Sequence, residues 1–246
     1  MKQKLLLIGG PTAVGKSAFA LKLAHKIKME IISADSVQVY RELNIGTSKP
    51  SQSEKNICVH HLIDEVNFKE KFNAFDFVNL SRKYIDEITS RGNLPVIVGG
   101  TGLYMESLLY AYSFKKEKEN KESVYDYNLY ILNQDRQKLY DKINKRVDVM
   151  LENGLIDEVK HLKEHGLDKN DQCVQAIGYK ELLEYLDNNI TLNEAIEKIK
   201  QGTRNYAKRQ ITWFKHMNGK WIDVDENLDS AIDEIVEIYR DYKIEQ

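Results

Sequence analysis

The sequence predicts an α/β fold, a P-loop-containing parallel sheet flanked by helices, with a mainly helical C-terminal part. Three observations carry that prediction. Short, continuously apolar runs such as Leu5–Ile8 and Leu94–Val98 alternate with segments of helical periodicity, the pattern of parallel strands covered on both faces. The first run opens directly into Gly10-Pro11-Thr12-Ala13-Val14-Gly15-Lys16-Ser17, two glycines spaced ahead of a lysine and a hydroxyl residue. Beyond Arg136 the apolar spacing is helical almost to the end of the chain.

Taken in order, Lys4–Ile8 reads as a buried strand and Ser17–Lys28 as the helix after it. Glu30–Ser33 is a second strand, and Arg41–Asn56 a polar stretch broken by Gly46 and Pro50. His60–Ile63 is a candidate strand, and Asp76–Arg91 a helix stopped at Gly92. Leu94–Val98 is a strand closed by Gly99-Gly100, followed by a helix over Leu103–Tyr110. After the charged run Lys115–Glu122, Tyr127–Leu132 resumes as a strand. Helices then cover Arg136–Asn153, Ile156–His165, Ile177–Asp187 and Leu192–His216. Trp221–Val224 reads as a last strand before an acidic amphipathic helix.

At 246 residues, 42% hydrophobic and 30% charged, the chain suits one large globular domain that needs no disulfides. Cys58 and Cys173 lie far apart without metal-ligand spacing and read as reduced structural thiols. No apolar run reaches the length of a signal peptide or a membrane span, so the expectation is a cytoplasmic protein with no membrane partner. The net charge of −2 argues against a dedicated nucleic-acid binder, but it conceals a local contrast. Lys198–Ile222 holds seven Lys or Arg and no acid, whereas Asp223–Gln246 holds nine acids against Arg240 and Lys243.

Gly10–Ser17 is placed to cradle phosphate. Its glycines let backbone N–H groups turn inward, the helix N-terminus adds a favourable dipole, Lys16 supplies a full charge and Ser17 suits Mg²⁺. A P-loop that hydrolyses or transfers a γ-phosphate pairs with an Asp ending a neighbouring apolar strand. Here Leu94–Val98 ends in Gly99-Gly100-Thr101, which weakens that reading. Asp35 follows the second strand, and ligands of open α/β sheets bind beyond the carboxyl ends of the strands. Its carboxylate is open to three readings: a water-mediated Mg²⁺ ligand, a helix cap, or a general base. Thr101 is divided in the same way between cap and site hydroxyl.

Together these segments resemble the tRNA dimethylallyltransferases, which prenylate an adenosine beside the anticodon. The resemblance rests on Gly10–Ser17, Ser33-Ala-Asp-Ser-Val-Gln-Val-Tyr40, Ile45-Gly-Thr-Ser-Lys-Pro50, His60-His-Leu-Ile-Asp64 and Val98-Gly-Gly-Thr-Gly-Leu-Tyr104. It continues through Ile143-Asn-Lys-Arg-Val147, Met150-Leu-Glu-Asn-Gly-Leu155, Gln175-Ala-Ile-Gly-Tyr-Lys-Glu181 and Thr203-Arg-Asn-Tyr-Ala-Lys-Arg-Gln-Ile-Thr-Trp-Phe214. It implies that the loop holds the diphosphate of dimethylallyl diphosphate, with Lys16, Mg²⁺ and Arg146 stabilising it as it leaves. It further implies that Asp35 takes the proton of the adenine amine, that Thr101 hydrogen-bonds at the same centre, and that Gln38 helps hold the displaced base. The expected tRNA contacts are Asp35, Ser36, Val37, Gln38, Thr101, Arg204, Lys208 and Arg209. On residues alone the basic stripe also reads as an ordinary solvated helix face, and His60 and His61 read as structural.

The match breaks between Leu109 and Tyr127, where the family carries a helical insert that grips the anticodon stem-loop. The expected organisation is therefore a P-loop core over 1–112, a charged linker over 113–126 in place of the insert, and 127–246 completing the core with the basic helix. A monomer is expected. Two other readings stand beside tRNA prenylation: prenylation of a free adenine nucleotide, and a non-catalytic RNA-binding relative. A small-molecule kinase is a third.

Overall fold

The computed structural model describes residues 2–110, 122–240 and 242. Among the described residues six segments become parallel strands: β1 (Lys4–Gly9), β2 (Met29–Ala34), β3 (His60–His61), β4 (Leu94–Gly99), β5 (Asp126–Asn133) and β6 (Lys220–Asp223). Their order is β3-β2-β4-β1-β5-β6, which puts β1 and its loop in the middle of the sheet. Residues that alternate along a strand face opposite sides, and the core divides accordingly. Leu5, Leu7, Ile97 and Ile131 join one cluster, while Leu6, Ile8, Val96 and Leu132 join the other. The expectation of a parallel sheet covered on both faces is met.

Nine α-helices are described: α1 (Lys16–Ala24), α2 (Gln52–Ile57), α3 (Ala74–Ser90), α4 (Gly102–Leu109), α5 (Arg136–Glu152), α6 (Leu155–Glu164), α7 (Tyr179–Leu186), α8 (Leu192–Phe214) and α9 (Leu228–Tyr239). Three departures from the sequence reading have plain causes. Helix α1 ends at Ala24, four residues before the expected Lys28, as the chain turns through His25–Ile27 to enter β2. Helix α2 interrupts the polar stretch that was expected to be irregular. It buries no residue, and a reciprocal capping box between Ser51 and Glu54 nucleates it. A 3₁₀ turn at Gln172–Gln175 also delays the start of α7 to Tyr179.

Most of the charged run Lys115–Glu122 lies outside the described residues. Among the described residues no helix is long and apolar enough to cross a membrane. His60 and His61 are engaged within the fold: His60 Nδ1 meets the Cys58 carbonyl at 2.7 Å, and His61 Nε2 lies 2.7 Å from Glu30. Glu30, nearly buried, also accepts both arms of Arg91 and the Asn93 amide, and these donors hold its carboxyl down to about 2 despite its burial.

Helix α8 fixes the carboxyl end of the sheet. Its buried face carries Ala207, Gln210 and Phe214, at helical spacing. Gln210 accepts the Thr12 N–H at 2.8 Å and donates to the Gly100 carbonyl at 3.0 Å, tying the P-loop to the turn after β4. The glycines of that turn follow from this close approach. A β-carbon at Gly100 would stand 2.0 Å from Gln210 Nε2, and one at Gly102 would stand 2.2 Å from the Trp213 ring.

Candidate active site

The P-loop forms as its sequence requires. Gly15 takes φ 103° as the residue capping α1, a left-handed conformation that glycine adopts without strain. Gly10 has φ 140°, and a β-carbon there would meet the Leu132 carbonyl at 2.5 Å. Pro11 and Val14 are buried, Thr12 and Ala13 are half-buried, and the loop hands over to Lys16 and an exposed Ser17 in the first turn of α1. Lys16 Nζ folds back to donate to the carbonyls of Gly10 (3.0 Å) and Pro11 (2.7 Å).

A second cation arrives from α5. Arg146 Nη1 lies 3.4 Å from the Thr12 hydroxyl, so a residue more than a hundred positions away meets the loop. Desolvation, reinforced by Arg146, lowers the Lys16 ammonium from its ordinary value to about 7, with Asp35 opposing the shift. Desolvation likewise lowers Arg146, again opposed by Asp35. Two cations therefore converge against one carboxylate, and neither forms an ion pair with it. Such a site favours a multiply charged anion.

Asp35 is held by its own backbone. Its Oδ1 accepts the N–H groups of Val37 (2.9 Å) and Gln38 (3.3 Å), an Asx-type turn that begins no helix. The cap reading thus becomes a turn that fixes one oxygen and leaves Oδ2 for other partners. Asp35 and Arg146 share a pocket of about 180 Å³ with Thr12, Ser36 and Val37. Its far wall is apolar, built from Ile143, Val147, Met150, Leu155, Ile177 and Ile199, and Tyr206 closes it on the α8 side.

Thr101 directly precedes α4 but makes no side-chain cap. Its Oγ1 is buried without a hydrogen-bond partner, and the Tyr206 phenol, raised to about 12 mainly by burial, faces it. An unsatisfied buried hydroxyl costs about 1–3 kcal/mol, a cost a bound group with a donor or acceptor would relieve. Gln38 does not line the pocket. Its amide is taken up by Ser33, Thr47 and Ser48, so it braces the loop that carries Asp35.

The basic stripe divides in two. Lys198 pairs with Glu184, Lys200 with Asp148, and Arg204 donates to Asn144 at 2.6 Å, turned towards α5. Among the described residues Lys208, Arg209 and Lys215 have no acidic partner, and all three are exposed. Arg209 lies over the Tyr206 ring at 5.7 Å, which brings that one unpaired cation beside the pocket wall.

Sequence reasoning missed four contributors. Tyr206 and the apolar wall come from α5, the start of α6, the turn before α7 and α8, brought together only by folding. Gln210 was detectable as a lone polar residue on the apolar face Ala207–Phe214. Glu158 accepts the N–H groups of Asn44 (3.0 Å), Ile45 (2.8 Å) and Gly46 (3.3 Å) and the Tyr179 hydroxyl (2.7 Å). It thereby pins the pocket wall at Gly46 and Thr47.

The fold and the site define a P-loop α/β protein whose pocket joins an anion cradle to an apolar chamber. The sequence profile of the family described as IPP transferase matches residues 38–124 and 111–217, and the chain belongs to that family. It is 41% identical to a tRNA dimethylallyltransferase of Acetivibrio thermocellus, in an alignment over 288 positions covering 90% of this chain and 92% of that protein. Its structure resembles a tRNA isopentenylpyrophosphate transferase of Staphylococcus epidermidis, with 36% identity, TM-score 0.89, and 97% and 99% of the two chains covered. It likewise resembles the enzyme of that description from Bacillus halodurans, with 37% identity, TM-score 0.89, and 97% and 96% covered.

Proposed function

We propose that this chain transfers a dimethylallyl group from dimethylallyl diphosphate to the exocyclic N6 amine of the adenosine adjacent to the anticodon in tRNA. The observation that carries the reading is that Lys16 and Arg146 both meet the P-loop, whose Thr12 lines an apolar pocket together with Arg146 and Asp35. A diphosphate on a short branched hydrocarbon fits both halves of such a site. The relatives named above are transferases of this kind.

In the reaction the bond between the allylic carbon and the diphosphate oxygen breaks, and its electron pair leaves with the diphosphate. The adenine amine supplies the pair for the new N–C bond, and its proton passes to Asp35. Lys16, Arg146 and the P-loop N–H groups accept the charge that develops on the leaving group. Removing one such donor from an enzyme typically costs roughly 10²–10³ in rate. The Asp35 oxygen left free by its turn is the proton acceptor, with Thr101 Oγ1 hydrogen-bonding at the same centre. Gln38 acts through the loop it braces.

Among the described residues no cluster of three His, Cys, Asp or Glu side chains is arranged for a metal. Mg²⁺ bound through substrate phosphates needs only one or two protein ligands, and the exposed Ser17 hydroxyl beside the cradle suits it. When bound, Mg²⁺ would neutralise part of the diphosphate charge.

The tRNA side rests on Arg209 beside the pocket and on the exposed Lys208 and Lys215 further round α8, with Ser36 and Val37 inside the pocket; Arg204 acts through Asn144. The 113–126 segment standing in place of an insert, between a 1–112 core and 127–246, is supported by two observations. The family profile matches in two pieces that meet over 111–124, and the Acetivibrio alignment is longer than this chain. The remaining parts of this reading are anticodon stem-loop recognition without that insert, a monomeric state and a cytoplasmic location. Incubation with labelled dimethylallyl diphosphate and either tRNA or AMP tests the function: label is expected on tRNA, and label on AMP alone would overturn it.

A further inference from the structure

Helix α8 presents one feature that the transfer reaction does not use. Trp213 is 39% exposed, although tryptophan is a large apolar residue that folds usually cover. Its ring is nonetheless fixed: it lies so close to Gly102 that no side chain would fit there. Gly102 follows Thr101, whose buried hydroxyl faces Tyr206, a residue of the pocket wall. Along α8, Tyr206, Arg209 and Trp213 fall at i, i+3 and i+7, one face of the helix. Leu103, the next residue of α4, is also exposed, at 44%. The shelf so formed carries Arg209, which is exposed and has no acidic partner among the described residues, while Lys208 and Lys215 lie further round the helix.

A rigid aromatic face beside the unpaired Arg209 and packed on Gly102, the neighbour of Thr101, fits a nucleobase attached to a phosphate chain better than it fits a protein. We propose that Trp213 is the stacking platform for a base flanking the target adenosine, taking the face exposed when that adenosine leaves the stack. Stacking of this kind tolerates any base because every base has a π-face. The proposal rests on the tRNA reading above and sharpens it by assigning the residue that holds the loop open.

The chain has two tryptophans, and Trp221 lies on the edge strand β6. A Trp221→Phe chain therefore leaves Trp213 as its sole indole. Dye-labelled anticodon stem-loop RNA is titrated with that chain while RNA anisotropy and indole emission are followed together. Emission is expected to fall at least about two-fold along the anisotropy curve, and an abasic residue at one flanking position should abolish the fall. Trp213→Ala should weaken RNA binding roughly ten- to a hundredfold, and Trp213→Phe should recover most of it. RNA saturation with unchanged emission, or quenching that survives an abasic residue at either flank, would overturn the stacking role and leave the tRNA reading intact. No anisotropy change with any RNA would overturn the tRNA reading, and the platform with it.

Discussion

The two ends of the site are built differently. At the diphosphate end the groups are held close, densely surrounded and charged beyond what the protein neutralises: Lys16 on the carbonyls of its own loop, Arg146 against Thr12, Asp35 fixed by an Asx turn. At the RNA end the cations are exposed and long-armed, with no acidic partner among the described residues, and the organised element there is the ring of Trp213. A small ligand with concentrated charge can be met by a few pre-oriented groups. A polymer with one charge per nucleotide is met by several solvated ones whose contribution depends on salt. Variants at the first end should therefore change the chemical step, and variants at the second should change affinity.

The largest effect is expected from Lys16→Met. Transfer should fall by roughly two to three orders of magnitude or more, because the leaving group loses its fullest charge partner. The same variant should raise the melting temperature of the ligand-free chain by a few degrees. Holding a protonated Lys16 in a desolvated site costs stability in full below about 7, and that cost fades as pH rises from about 7 to the lysine's ordinary value, so the gain from Met should be largest at or below neutral pH. Calorimetry checks this, and an unchanged or lower melting temperature would contradict the desolvated environment.

Asp35→Asn comes next. Its Oδ1 contacts to Val37 and Gln38 survive the change, so the turn should hold while proton transfer is lost. A drop of roughly 10²–10⁴ in kcat is expected, with KM for both substrates nearly unchanged. Smaller again is Glu158→Gln, which weakens the charge-assisted bonds to Asn44, Ile45 and Gly46. Stability should fall by about 1–3 kcal/mol in denaturant titrations, with a modest rise in KM as the Gly46–Thr47 wall loosens.

The comparison is sharpened by pH. Lys16 is protonated below about 7 in the free chain, and a bound diphosphate raises its affinity for the proton. Affinity for dimethylallyl diphosphate should therefore weaken as pH rises above 7, by up to about tenfold per pH unit, with proton uptake seen as a buffer-dependent binding enthalpy. Flat affinity from pH 7 to 9 would count against the assignment. RNA affinity, governed by lysines and arginines in water, should hardly move over that range.

The same contrast governs what the sequence reveals. The diphosphate end is legible because its chemistry is local: Gly10–Ser17 and Asp35 sit at the ends of strands whose apolar runs are plain. The strand ends were placed to within one residue except in β3, which keeps only His60–His61 of the expected His60–Ile63. Helix α2 was hidden because it has no apolar stripe to betray it, only Ser51 and Glu54. The apolar chamber was hidden for the opposite reason. In the sequence Ile143, Ile177 and Ile199 look like ordinary core residues, and only the packing of α5, α8 and the turn before α7 sets them around one pocket. Arg204 shows the limit of reading charge from sequence: it belongs to the basic stripe, yet Asn144 takes its guanidinium.

The most direct test of the division sets the Lys208→Gln/Arg209→Gln/Lys215→Gln triple variant beside Asp35→Asn, with kcat and KM for tRNA measured at several salt concentrations. For the triple variant we expect kcat within about two-fold of the parent, a raised KM, and a salt slope shallower by about two to three, while Asp35→Asn loses kcat and keeps the parental slope. A triple variant that loses kcat with an unaltered salt slope would contradict the account.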